Sequence, residues 1–88
     1  MKSLQMTISG RVQGVFFRAN VRKKALELGL KGYARNLPNG NVEIAVQGDG
    51  EKISELIHFI KSNPGAAKIE EIKTAEREPE NFKGFEIK

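Results

Sequence analysis

The chain has 88 residues, 39% hydrophobic and 30% charged, with a formal net charge of +4 and a pI of about 9.6. That length holds one core, so one domain over residues 1–88 is expected. The absence of cysteine excludes disulfides, thiolate nucleophiles and cysteine metal clusters, and apolar runs of only a few residues exclude a helical membrane span.

Leu4, Met6, Ile8, Gly10 and Val12 alternate with Gln5, Thr7, Ser9 and Arg11. This period of two predicts a half-buried strand. From about Arg18 to Leu28 the spacing changes, with Val21, Ala25 and Leu28 falling on one stripe of an amphipathic helix that Gly29 is placed to end. The basic cluster Arg22, Lys23 and Lys24 within it reads as a solvated face. Leu30 to Leu37 reads as a second strand with a weak spot at Gly32. Asn39-Gly40 then signals a hairpin, and Asn41 to Gly48 returns with Val42, Ile44 and Val46 on one face.

Asp49 is placed to cap a second helix whose buried stripe is Ile53, Leu56, Ile57 and Ile60. Asn63 to Ala67 breaks that helix. Ile69 and Ile72 suggest a further, less regular strand, and Phe82 to Ile87 a short last one. The order is β-α-β-β-α-β, with room for one more strand. It predicts an α+β fold of the ferredoxin-like plan: an antiparallel sheet of four or five strands with two helices on one face. Many unrelated functions share that plan, so function has to come from the site.

The connection between the first strand and the first helix reads GRVQGVFFR, Gly10 to Arg18. A strand, a tight glycine turn and a helix start can gather backbone N–H groups on one anion, with the helix dipole adding positive potential. Gly14 permits the turn by taking a positive φ. Arg18 supplies planar, permanently charged donors suited to phosphate or carboxylate. The plain alternative is a connection with Arg18 on the surface and the apolar residues in the core. The stretch is neither a P-loop nor a dinucleotide fingerprint, and its size suits a single phosphoryl group. Asn36, near the end of the second strand, offers one acceptor and two donors; alone, it reads first as a residue satisfying nearby backbone before a turn.

GRVQGVFFR, the asparagine of GYARN eighteen residues after Arg18, and NGNVEIAVQG together resemble an acylphosphatase. The resemblance extends to NPGAAKIEEI and the closing FKGFEIK. It implies hydrolysis of the carboxyl-phosphate anhydride of small-molecule acyl phosphates to a carboxylate and inorganic phosphate, the latter a competitive inhibitor. By position it implies that Arg18 binds the phosphoryl oxygens and that backbone amides of Gly14, Val15, Phe16, Phe17 and Arg18 form a phosphate-binding loop. Asn36 orients the attacking water. No metal and no organic cofactor is implied, and a cytoplasmic monomer with no nucleic-acid or membrane partner is expected. Phe16, Val21 and Leu37 depart from residues the family often carries at those positions.

Three other functional readings and one other mechanism compete. An RNA-recognition module shares the element order but stacks bases on aromatics of its central strands, and Asn41 to Gly48 holds none. A non-catalytic anion sensor has no need of a water-orienting asparagine. Larger maturation enzymes with an acylphosphatase-like segment continue into cysteine-rich zinc modules. A phosphohistidine route would rest on His58, the only histidine, which falls out of phase with the apolar stripe of the second helix.

Overall fold

The computed structural model describes Met1–Lys88. Its elements are β1 (Lys2–Arg11), α1 (Phe17–Glu27), β2 (Lys31–Asn36), β3 (Val42–Gly48), α2 (Gly50–Lys61), β4 (Lys68–Glu76) and β5 (Phe85–Ile87). They form one sheet in the order β4-β1-β3-β2-β5. β1 pairs antiparallel with β3 and β4, and β2 antiparallel with β3, as expected. The edge corrects the expectation, because β5 runs parallel to β2. β4 and β5 occupy opposite edges, so the chain between them must cross the sheet, and it re-enters in the direction of β2.

One face of the sheet carries the core. Met6 and Ile8 of β1, Ala34 of β2, Val42, Ile44 and Val46 of β3 and Phe85 of β5 join one cluster with Phe17, Val21 and Ala25 of α1 and Ile53, Leu56 and Ile60 of α2. Each large apolar side chain fully buried there contributes about 1.5–3 kcal/mol. Both helices cover this face, as the spacing of their stripes requires; Ile57, expected in the stripe of α2, is only partly buried.

β3 is buried on its second face too, at Glu43, Ala45 and Gln47. The crossing segment before β5 does this. Gln47 Nε2 donates to the Glu80 carbonyl at 2.5 Å, and its Oε1 accepts the Glu80 N–H at 3.0 Å. The Phe82 ring meets Tyr33 edge-on at 6.0 Å, and the Arg77 guanidinium lies over both rings at 5.8 and 5.7 Å. Gly32 is required in β2, since a Cβ at its φ of 148° would strike the Ala45 carbonyl of β3.

The β2–β3 hairpin is longer than a two-residue turn. Leu37 N–H donates to the Asn41 carbonyl at 2.8 Å and Gly40 N–H to the Leu37 carbonyl at 3.1 Å, so the turn is Leu37-Pro38-Asn39-Gly40. Pro38 sets its first corner, and Gly40, at φ 93°, absorbs the left-handed step that returns the chain to β3.

Candidate active site

Val12 and Phe17, both buried, pin the ends of the connection from β1 to α1, while Gly14 and Phe16 between them are exposed. Two residues of this short loop are left-handed, Gly14 at φ 75° and Phe16 at φ 59°. A Cβ on Gly14 would meet nothing within 4 Å, so glycine serves the backbone conformation there, not a need for space. Phe16 adopts the same region against a penalty of about 1–2 kcal/mol for a residue with a Cβ. Left-handed residues alternating with ordinary ones curl successive N–H groups toward one side, the geometry of an anion-binding concavity.

α1 begins directly behind that curl. Phe16 is its N-cap without a side-chain hydrogen bond, and its first turn holds no acidic residue. The first intrahelical bond is Asn20 N–H to the Phe16 carbonyl, at 3.0 Å. The N–H groups of Phe17, Arg18 and Ala19 therefore have no partner inside the helix. α2 differs: Asp49 Oδ1 accepts the Glu51 N–H at 2.8 Å, and Glu51 adds negative charge to the first turn. The positive end of α1 is left open where that of α2 is filled.

Arg18 sits in the first turn of α1, and its Nη1 donates to the Lys88 main-chain oxygen at 3.0 Å. Lys88 N–H in turn donates to the Ala34 carbonyl at 2.9 Å. This ties Arg18 to the β2–β5 edge, near the end of β2 that carries Asn36. Gly14, Phe16, Phe17, Arg18 and Ile87 line a cavity of about 280 Å³ at this corner.

Asn36 is the last residue of β2, exposed, and paired with Val42 across the hairpin. It does not line the cavity; it lies two residues along β2 from Ala34, whose register partner Ile87 does. The turn itself is held by Asn39, whose Oδ1 accepts the Asn41 N–H at 3.0 Å. Gln13 closes the arrangement: its Nε2 donates to the Leu37 and Asn41 carbonyls, both at 2.8 Å. One amide thus clamps the loop Gly14–Arg18 to the base of the hairpin that carries Asn36.

Gln13 is the residue that sequence reading missed. Its only signal was a polar side chain between the buried Val12 and the turn glycine. Ile87 likewise carries no signal in the sequence beyond closing a short strand. The other ionisable groups lie elsewhere. His58 is exposed on α2 and lines a separate groove with Lys24, Glu55 and Phe59. Glu43 is engaged structurally, accepting from the Tyr33 hydroxyl at 2.7 Å and pairing with Arg35 at 3.0 Å. Burial first, then the hydrogen bond and charge of Glu43, push the Tyr33 phenol above its ordinary value of 10.0.

The acylphosphatase family is matched over residues 4–87. The acylphosphatase of Thermus thermophilus is 44% identical over 87 residues, spanning 99% of each chain. The structure of an acylphosphatase from Coxiella burnetii superposes with a TM-score of 0.93 at 37% identity, covering 99% of this chain and 92% of that one. T. kodakarensis HypF, a larger protein, contains a similar segment: 34% identity and a TM-score of 0.88 over 100% of this chain and 12% of that one. No helix is long and apolar enough to cross a membrane.

Proposed function

This chain belongs to the acylphosphatase family and carries its activity, and we propose that it does so through a division of labour between Arg18 and Asn36. The phosphoryl group of an acyl phosphate rests in the curl of Gly14, Val15, Phe16 and Phe17. Backbone N–H groups and the open end of α1 neutralise its oxygens. The Arg18 guanidinium supplies a charged, planar fork to the same oxygens. The Asn36 carboxamide, at the hairpin side, holds a water by accepting one of its hydrogen bonds.

The water oxygen bonds to phosphorus as the bond from phosphorus to the bridging oxygen breaks, and the carboxylate leaves with that electron pair. The water's protons pass to the phosphate oxygens, giving dihydrogen phosphate, which then adjusts to the pH of the medium. A carboxylate is a good leaving group, so positioning and charge stabilisation supply what the reaction needs. No side-chain nucleophile enters, and His58 has no part in it.

The observation that supports this reading most strongly is the paired left-handed backbone at Gly14 and Phe16 directly before an uncapped helix bearing Arg18. Inorganic phosphate fits the same curl and is expected to compete with substrate. The test is phosphate release from benzoyl phosphate, with an aryl phosphate ester of similar size alongside. Hydrolysis of the anhydride with little of the ester supports the reading. Equal rates on the two, or release from neither, would count against it.

A further inference from the structure

Phe16 is doubly anomalous. Its backbone lies in a region that disfavours bulky side chains, and its ring is 83% exposed, so neither conformation nor burial accounts for a phenylalanine there. Ile87, at the end of β5, is the second anomaly, with 43% of its surface exposed. These are two of the four exposed large hydrophobic residues of the protein, and both line the cavity that contains Gly14 and Arg18.

The rest of that lining narrows its chemistry. Val12, Phe17 and Ala19 are apolar, and Arg18 is the only charged residue. In an acyl phosphate one bridging oxygen separates phosphorus from the acyl carbon. With the phosphoryl group held by Arg18 and the loop, the acyl group therefore reaches only the surface bordering that loop. An acyl group with its own charge finds no second cation there. An apolar one finds the ring of Phe16 and the side chain of Ile87.

We infer that Phe16 and Ile87 form an acyl-binding wall that selects apolar acyl phosphates, aromatic ones foremost, over small or charged ones. This rests on the reading of the Gly14–Arg18 loop as the phosphoryl site, and it adds the other half of the substrate. Ring-to-ring contact and apolar burial on one open wall correspond to a selectivity of about fivefold to tenfold.

The test compares kcat/KM for benzoyl phosphate and acetyl phosphate in the wild type, Phe16→Asn, Phe16→Tyr and Ile87→Ser, with inhibition by inorganic phosphate measured in each. Asparagine tolerates the left-handed backbone, so Phe16→Asn removes the ring without forcing the loop open. The benzoyl-to-acetyl ratio should fall at least about fivefold in Phe16→Asn, fall in Ile87→Ser, and be restored in Phe16→Tyr. Phosphate has no acyl group, so its inhibition constant should stay within about threefold throughout. An unchanged ratio in Phe16→Asn or in Ile87→Ser overturns the inference. So does a phosphate constant that rises as much as the benzoyl phosphate KM, because the ring would then be acting through the loop. Turnover of neither substrate by the wild type would overturn both the wall and the activity beneath it.

Discussion

Arg18 makes one hydrogen bond within the protein, from Nη1 to the main chain of Lys88, so the fork of its remaining N–H donors is open to a ligand. A lysine in its place would keep the charge and lose the planar fork, which gives Arg18→Lys a sharp expectation. It should lose nearly as much kcat/KM as Arg18→Ala, about 10²–10³-fold, the usual cost of one oriented donor at a transition state. A lysine variant keeping most of the wild-type value would mean that Arg18 supplies only a general positive field. Tyr33 makes a separate case away from the site. It is the only tyrosine, so phenolate absorbance reports it alone. Its raised folded-state value means that the neutral phenol is the form the fold favours. The stability this contributes is present below 10.0 and is lost as pH rises from there through the folded value. The titration midpoint should lie above 10.0 in the folded protein and move down in Glu43→Gln. A native midpoint at or below 10.0 would contradict the burial and the Glu43 hydrogen bond that together raise it.

Between elements, the decisive contact is the Gln13 clamp from the β1–α1 loop to the hairpin of β2 and β3. Gln13→Ala removes two part-buried hydrogen bonds, each worth about 0.5–1.5 kcal/mol, while the Leu37 and Asn41 carbonyls keep their backbone donors, Gly40 N–H and Leu37 N–H. Stability should fall by about 1–3 kcal/mol, read from denaturant midpoints at unchanged slope. kcat should fall in the folded variant, because phosphoryl cradle and water-holder would no longer be fixed to each other; full kcat would show that the hairpin holds its place unaided. The strands and helices themselves were legible, since each rests on periodicity within its own segment: the alternation of Leu4 to Val12, the stripe of Val21 and Ala25, the Asp49 cap. Gln13 was not legible, because its partners are main-chain carbonyls 24 and 28 residues downstream, and no local pattern encodes them. The extent of the hairpin was obscured for a different reason. Asn39-Gly40 favours a tight two-residue turn, but Pro38 in the first corner draws the turn back to Leu37.

At the scale of the whole molecule, three stretches far apart in sequence are tied together: the Gly14–Arg18 loop, the β2–β3 hairpin beside Asn36 that Gln13 clamps to it, and the β5 end with Ile87 and Lys88 that meets it at one corner. The loop and the asparagine could be recognised from their motifs. The third could not, because β5 reaches this corner only by crossing the second face of the sheet, where Gln47 and Glu80 hold the crossing segment. That crossing also explains why β3 is buried on both sides and why the edge pair is parallel. A strand of three residues carries too little pattern to announce its partner or its direction.

The proposed mechanism gives Arg18 and Asn36, from different elements, different work, and inorganic phosphate separates them, since it would occupy the phosphoryl site without needing the water. The most direct measurement is its inhibition constant in Asn36→Ala and Arg18→Ala beside kcat, with melting curves confirming that both variants are folded. In Asn36→Ala, kcat should collapse while phosphate inhibition stays within about threefold of wild type. In Arg18→Ala, phosphate inhibition should weaken at least about tenfold, as a lost charged hydrogen bond of roughly 1.5–3 kcal/mol requires. If a folded Asn36→Ala loses phosphate inhibition as severely as Arg18→Ala, Asn36 binds the anion and does not position the water, and the division of labour is contradicted.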